Sequence, residues 1–232
     1  YGLLKPPAGR RQLRVVSRYG TQFYLTPWDS VDSHVIGEGF YESEVLEAVR
    51  PLLGPGAVLW VVGANFGLHA VTAKWLHPET TVVAFEPSPA MGARLIEHCE
   101  LNSVQVALHA YALSDRAGAL PFFANASGNP GMSTLHPSED SAYDHRLFVA
   151  AATAADVIER RIAPAPTVLI VDAERAEAEV LRGFAGQLAA PQLRAIVFEA
   201  PNAFLETRAP ADLHALLASA GFTLRILARQ ER

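Results

Sequence analysis

Short, nearly uninterrupted apolar runs recur along this chain, and helical stretches follow them. The runs fall at residues 57–62, 80–85, 104–110, 167–171 and 193–198. Runs of this length without polar alternation mark strands covered on both faces. Apolar residues at helical spacing mark 66–76, 89–101, 153–161, 176–188 and 211–220. Strand then helix, repeated about five times, predicts an α/β domain with a doubly wound, mostly parallel sheet. An extra strand is expected over 119–124, and a last one over 222–228 after Gly221.

Before this alternation, Val15-Val16 and Phe23-Tyr24-Leu25 flank Gly20 and read as a hairpin. Residues 41–53 read as a helix stopped by Gly54-Pro55-Gly56. The expected organisation is an N-terminal extension of hairpin and loop over 1–40, then one domain over 41–232. A chain of 232 residues suffices for one such domain with a full core. Residues 125–145, rich in Gly, Pro, Ser and Asp, break the rhythm and read as a lid or binding loop. Of the aromatic residues Tyr24, Trp28, Phe40 and Tyr41, two are expected in the core, and the others are candidates for stacking on a sugar ring.

Composition narrows the function. Half the residues are hydrophobic and 19% are charged, which argues against disorder. The formal net charge is -5 and the scattered positive charge forms no basic stripe, so no nucleic-acid partner is expected. The single cysteine, Cys99, excludes an intrachain disulfide and a cysteine-rich metal site, and it reads as a core residue. No apolar run is long enough to span a membrane, no secretory signal is visible, and a cytoplasmic location is expected. Asn125-Ala126-Ser127 matches the glycosylation pattern and is read as chance in that setting.

Three motifs carry chemistry. Val62-Gly63-Ala64-Asn65-Phe66-Gly67 follows a predicted strand and opens a helix. Its glycines allow close backbone approach, and a helix N-terminus presents free N–H groups, as a nucleotide-like cofactor requires. Asn65 stands where a dinucleotide fingerprint has its second glycine, so a nicotinamide dehydrogenase is disfavoured. Glu86, in Phe85-Glu86-Pro87, lies 23 positions beyond Gly63 at the end of the next strand. A carboxylate there suits the two hydroxyls of a ribose. Lastly, Ile170-Val171 runs into Asp172 and Glu174, and Glu199 ends the fifth run likewise. Ligands of open α/β sheets sit beyond the carboxyl ends of strands, so these acids should share a crevice with Gly63 and Glu86. Helix capping is the competing explanation for Asp172 or Glu174.

In this order the motifs resemble the FkbM family of S-adenosylmethionine (SAM)-dependent methyltransferases. The match runs over roughly 37–200. It includes Gly39-Phe40-Tyr41-Glu42, the glycine turn, Phe85-Glu86-Pro87-Ser88-Pro89 and Ala112-Leu113-Ser114-Asp115. It continues through Met132-Ser133-Thr134, Asp172-Ala173-Glu174, Ala176-Glu177 and Val180-Leu181-Arg182-Gly183. The resemblance implies a class I, Rossmann-like methyltransferase that uses S-adenosyl-L-methionine to methylate a hydroxyl of a small molecule, polyketide or glycan. It implies cofactor contacts at Gly63, Ala64, Asn65, Gly67, Glu86, Pro87, Ser114, Asp115 and Asp172. Two positions depart from the family pattern. Val61 stands where an acid usually helps hold the methionine end of the cofactor, and Arg175 stands where glycine is usual. Both keep a second reading open: a weak or inactive SAM-binding module.

An acceptor hydroxyl needs a base or a metal to take its proton. The expected catalytic residues are Asp172, Glu174 and His136 on the loop; His69 is a further candidate base with a packed or surface role as its competitor. Asp172, Glu174 and Glu199 would suit magnesium, but no metal site is assigned from so ordinary a set of acids. The expected partner is a small-molecule or glycan acceptor; membership of a larger multidomain chain, or of a homodimer, stays open.

Overall fold

The structure is a computed structural model that describes residues 12–124, 133–137, 143, 145–199 and 211–227. The elements in chain order begin with β1 (Leu13–Val16), β2 (Gln22–Leu25), α1 (Ser30–Glu38), α2 (Ser43–Val49), β3 (Val58–Val62) and α3 (Leu68–Leu76). Next come β4 (Thr81–Phe85), α4 (Pro89–Leu101), β5 (Ala107–His109), β6 (Ala112–Leu113), β7 (Gly118–Ala124) and β8 (His145–Ala152). The chain continues with α5 (Ala154–Glu159), β9 (Val168–Val171), α6 (Glu177–Arg182), β10 (Ala195–Phe198) and α7 (Ala211–Ser219).

The central sheet has five strands in the order β10-β9-β3-β4-β5. All its pairings are parallel. The chain builds outward from β3 through β4 to β5, then returns to β9 on the other side of β3. The order therefore reverses between β3 and β9, and the crevice of a doubly wound sheet opens there.

Strand alternation divides the core into two layers. Leu59, Val61, Val82, Ala84, Val168 and Ile170 face one cluster, which also holds Val71, Leu95, Phe23, Leu25 and Val35. Trp60, Val62, Val83, Phe85, Leu169 and Val171 face the other, with Val157, Val180, Leu181 and Leu217. Burial on both faces explains why the runs lack polar alternation. The β1–β2 hairpin and α1 thus supply apolar residues to the same core as α3 and α4. The buried indole of Trp60 donates to the Pro164 carbonyl at 2.9 Å.

Four features differ from the expectations. The segment expected to be a loop after the hairpin contains α1, capped by the Asp29 side chain, which accepts from the Asp32 N–H. The stretch expected to be helical to residue 188 is the short α6 followed by a 3-10 turn at Ala185–Ala189. Residues 145–152 form β8, which pairs antiparallel with β7 and parallel with β6 in a separate three-stranded sheet. The strand expected over 222–228 does not form over 222–227, which has no regular secondary structure; residue 228 lies outside the described residues. Among the described residues, no helix is long and apolar enough to cross a membrane.

Candidate cofactor and methyl-transfer pocket

The site grows from strand register. Val62 pairs with Phe85 of β4 on one side and with Val171 of β9 on the other. The residues that follow each, Gly63, Glu86 and Asp172, therefore form a row across the carboxyl ends of three adjacent strands. Neighbouring strands lie about 4.8 Å apart, so this row spans roughly 10 Å. It edges a cavity of about 350 Å³ lined by residues 62–66 of the glycine turn but not by Gly67, by Glu86, Asp172 and Glu174, by Val31 of α1, and by Ser133, Thr134 and Leu135.

Backbone geometry explains the turn. Gly63 has φ +76, and a Cβ there would fall 1.7 Å from the Asp172 carbonyl oxygen. Gly67 has φ +93, and its Cβ would meet Leu95 Cγ at 2.9 Å. Both glycines thus permit β3 and α3 to pack closely on β9 and α4. Asn65 adopts φ +51, a region asparagine tolerates, and its side-chain oxygen accepts the Phe66 N–H at 2.8 Å.

Glu86 is buried, 6% exposed. One carboxylate oxygen accepts the Asn65 N–H at 2.8 Å and the other the Ser88 N–H at 2.7 Å. Burial raises its pKa to about 7, opposed by those two backbone hydrogen bonds. Each oxygen keeps a second lone pair, the requirement for receiving a pair of ribose hydroxyls. Pro87 lines the cavity beside it.

The opposite end is acidic. Asp172, Glu174, Glu42 and Glu199 line the cavity, and among the described lining residues there is no lysine or arginine. Burial, then repulsion from Glu174, Glu199, Glu42 and Glu177, raises the Asp172 pKa well above its usual value. Burial and the same neighbouring carboxylates raise Glu174 to about 7. Glu174 and Arg175 both have left-handed backbones, at φ +47 and +79. Glu177 holds this turn: one carboxylate oxygen accepts the Ala173 N–H at 2.9 Å and the Arg175 N–H at 3.2 Å. Asp172, Glu177 and Glu199 bring one oxygen each within 4.8 Å of the others, so Glu177 and not Glu174 completes the acid trio.

The other expected residues lie as follows. Ala64, Asn65 and His69 line the cavity. His69 packs edge-on to Phe40, and burial lowers its pKa to about 4. His136 is not among the lining residues; its Nε2 lies 3.3 Å from Glu179. Ser114 and Asp115 are also not lining residues. Ser114 is buried, donates its N–H to the Ala152 carbonyl, and packs where a Cβ on Gly183 would come within 2.1 Å of its carbonyl oxygen. Met132 and Asn125-Ala126-Ser127 lie outside the described residues.

Two contributors carried weak sequence signals. Thr134 forms a two-way backbone bridge with Phe123, and its hydroxyl donates to the Glu174 carbonyl, which draws residues 133–135 over the acids. Glu42, inside the quoted Phe40-Tyr41-Glu42 motif, enters the cavity from the start of α2 at φ +49. Only the long-range packing shows that either faces the pocket.

A doubly wound parallel sheet with a glycine turn, a strand-end carboxylate and an acid cluster along one cavity defines a Rossmann-like α/β domain of the methyltransferase class. Residues 62–224 match the family described as Methyltransferase FkbM domain, and the chain belongs to that family. It is 29% identical over 147 residues to the hexuronic acid methyltransferase AglP of Haloferax volcanii, covering 63% of this chain and 58% of that relative. It is 29% identical over 201 residues to the 31-O-demethyl-FK506 methyltransferase FkbM of Streptomyces tacrolimicus, covering 74% and 75%. Among solved structures it is similar to a precorrin-6y C5,15-methyltransferase from Geobacter metallireducens, with 14% identity, a TM-score of 0.45, and coverage of 77% and 70%. A methyltransferase FkbM from Methylobacillus flagellatus gives 14% identity and a TM-score of 0.43, covering 62% of this chain and 33% of that one.

Proposed function

We propose that this chain is a SAM-dependent O-methyltransferase that acts on a hydroxyl of a small molecule, polyketide or glycan. The observation that carries this reading is the row Glu86, Gly63, Asp172 along one cavity. Glu86 is already oriented by two backbone N–H groups, so it can take the ribose hydroxyls without rearranging. With a nucleoside held at Glu86, the strand-end residues Gly63 and Asp172 would be the ones available to hold the remainder of the donor. The acid-lined end complements a sulfonium, and the cofactor thus fits the residues present. When bound, the donor supplies a methyl group already activated for transfer.

The protein's own part is positioning and proton removal. Asp172 is the proposed base, with Glu174 second. The ionised carboxylate would take the proton of the acceptor's hydroxyl, and the donor, when bound, would supply the methyl group that the oxygen receives. A nearby positive charge favours the ionised form of both acids, so the base is generated when the donor is in place. His136, paired with Glu179, is proposed only for the covering segment and not for proton removal. The relatives' names support an acceptor of this kind: one specifies a hexuronic acid and the other an oxygen position.

A second reading, a SAM-binding module of weak or no activity, draws support from Val61, an uncharged residue on the cavity wall. Calorimetric titration with SAM, followed by methyl transfer to a panel of sugar and polyol hydroxyls, separates the readings. SAM binding that is weakened at least about tenfold by Glu86→Ala supports the pocket. Binding unaffected by that change removes the ribose assignment. Tight binding without transfer to any acceptor favours the second reading.

A further inference from the structure

The peptide group between Glu174 and Arg175 is held at both of its poles. Its carbonyl, on Glu174, accepts the Thr134 hydroxyl. Its N–H, on Arg175, donates to Glu177 Oε1 at 3.2 Å, and the same oxygen accepts the Ala173 N–H at 2.9 Å. Glu174 and Arg175 are consecutive left-handed residues, at φ +47 and +79. A residue with a Cβ disfavours that backbone, which persists where surrounding groups fix it. A peptide pinned at both poles cannot rotate, so the direction of the Glu174 side chain from its Cα is fixed with it. Glu174 lines the cavity in company with Asp172.

Thr134 reaches this peptide from a segment remote in sequence, and it is 2% exposed. A hydroxyl has a single hydrogen to donate. Here it goes to Glu174, and the oxygen accepts the His136 N–H at 2.9 Å. The Thr134 backbone is fastened to β7: its N–H donates to the Phe123 carbonyl at 3.0 Å, and its carbonyl accepts the Phe123 N–H at 2.8 Å. Leu135 packs on the apolar cluster of Leu120, Phe122 and Val149. Thr134 thus ties the three-stranded sheet to the turn that carries the acids. The ribose end is secured by other bonds, from the Asn65 and Ser88 N–H groups to Glu86.

We propose that Thr134 is a positioning residue for methyl transfer: its hydroxyl fixes the Glu174–Arg175 peptide and so sets Glu174, beside the base Asp172, toward the acceptor. The inference rests on the proposed function and deepens it. Without the hydroxyl, the Glu174 carbonyl loses this partner and the peptide can turn. Glu174 then samples directions away from the acceptor, and a proton is removed only by a group held within hydrogen-bond reach of it. Donor binding at Glu86 does not depend on this peptide.

The test compares the full chain with Thr134→Val, Thr134→Ala and Thr134→Ser. Calorimetric titration with S-adenosylhomocysteine reads the donor end. Initial rates at saturating SAM, with the sugar or polyol that the wild type methylates fastest, read kcat. Thr134→Val keeps the branched shape without the hydroxyl; kcat should fall at least about tenfold, with S-adenosylhomocysteine affinity within about threefold of wild type. Thr134→Ala should behave alike and serves if valine fails to fold. Thr134→Ser keeps the hydroxyl and should stay within about threefold of wild type in both readouts. Unchanged kcat in the valine and alanine variants, or a serine variant as slow as valine, overturns the inference. So does failure of both to fold, or affinity lost in step with kcat, which assigns Thr134 to the general fold. Each of these leaves the proposed function standing. A wild type that binds no S-adenosylhomocysteine, or methylates no acceptor, overturns the proposed function and the inference together.

Discussion

The carbonyl oxygen of Asp172 occupies the space that any side chain at Gly63 would need: a Cβ there would sit 1.7 Å from it. The contact joins the ends of β3 and β9 at the point where the strand order reverses. Gly63→Ala must separate these strand ends and also hold alanine at a left-handed φ of +76. The expected loss is at least about 3 kcal/mol, from strain and overpacking together. Urea unfolding at neutral pH measures it; a loss under about 1 kcal/mol shows that the strand ends yield easily.

Arg175 should respond in the opposite direction. Its φ of +79 is unfavourable for any residue with a Cβ, and it lies next to Glu174 at +47. Arg175→Gly removes about 1–2 kcal/mol of strain and restores about 0.5–1 kcal/mol of unfolded-state entropy. The net expectation is a gain of about 0.5–1 kcal/mol, read as a melting temperature higher by about 1–4 °C. A lower melting temperature means that the guanidinium contributes packing that outweighs the backbone strain.

Arg94 joins α4 to the helix at the pocket wall. Its Nη2 lies 2.8 and 2.9 Å from the two oxygens of Asp32, which is wholly buried, and its guanidinium lies 4.5 Å from the Phe66 ring centre. Asp32 also accepts the Thr26 N–H and hydroxyl. Arg94→Ala leaves a buried carboxylate without its cation, a loss of about 3–5 kcal/mol. Because Ser30 and Val31 of the same helix line the cavity, cofactor affinity should fall as well. Hydrogen exchange in α1 checks this: unchanged protection of residues 30–38 in the variant rejects the anchoring role.

His98 gives the hairpin a pH dependence. Its Nε2 accepts the Tyr24 N–H at 3.1 Å, and its Nδ1–H donates to the Phe66 carbonyl at 2.8 Å, which requires the neutral ring. Burial, the largest cause, lowers its pKa. The unfolded chain then binds the proton more readily, so this contribution is complete above the ordinary histidine pKa of about 6.5 and declines as pH falls below it. His98→Gln should flatten that part of the stability–pH curve between about pH 7 and 5. An identical slope in both proteins assigns the decline to other groups, His69 first.

Local pattern determined much of this protein. The parallel strands β3, β4 and β9 are legible because burial on both faces demands continuous apolar runs. The span of α4 is legible because Ser88 and Pro89 cap a helical periodicity, and Glu86 because it stands at a strand end. What only the tertiary structure decided involves residues that meet across the chain. The register setting Glu86, Gly63 and Asp172 in one row, the approach that makes Gly63 obligatory, and the bridge from Thr134 to Phe123 all join distant segments. So does the assembly of Glu42, Glu174 and Glu199 around Asp172, whose pKa is raised by burial and by neighbours far away in sequence. Periodicity records which face of an element is buried; it carries no record of what stands opposite, and the chemistry of this pocket depends on those opposing groups.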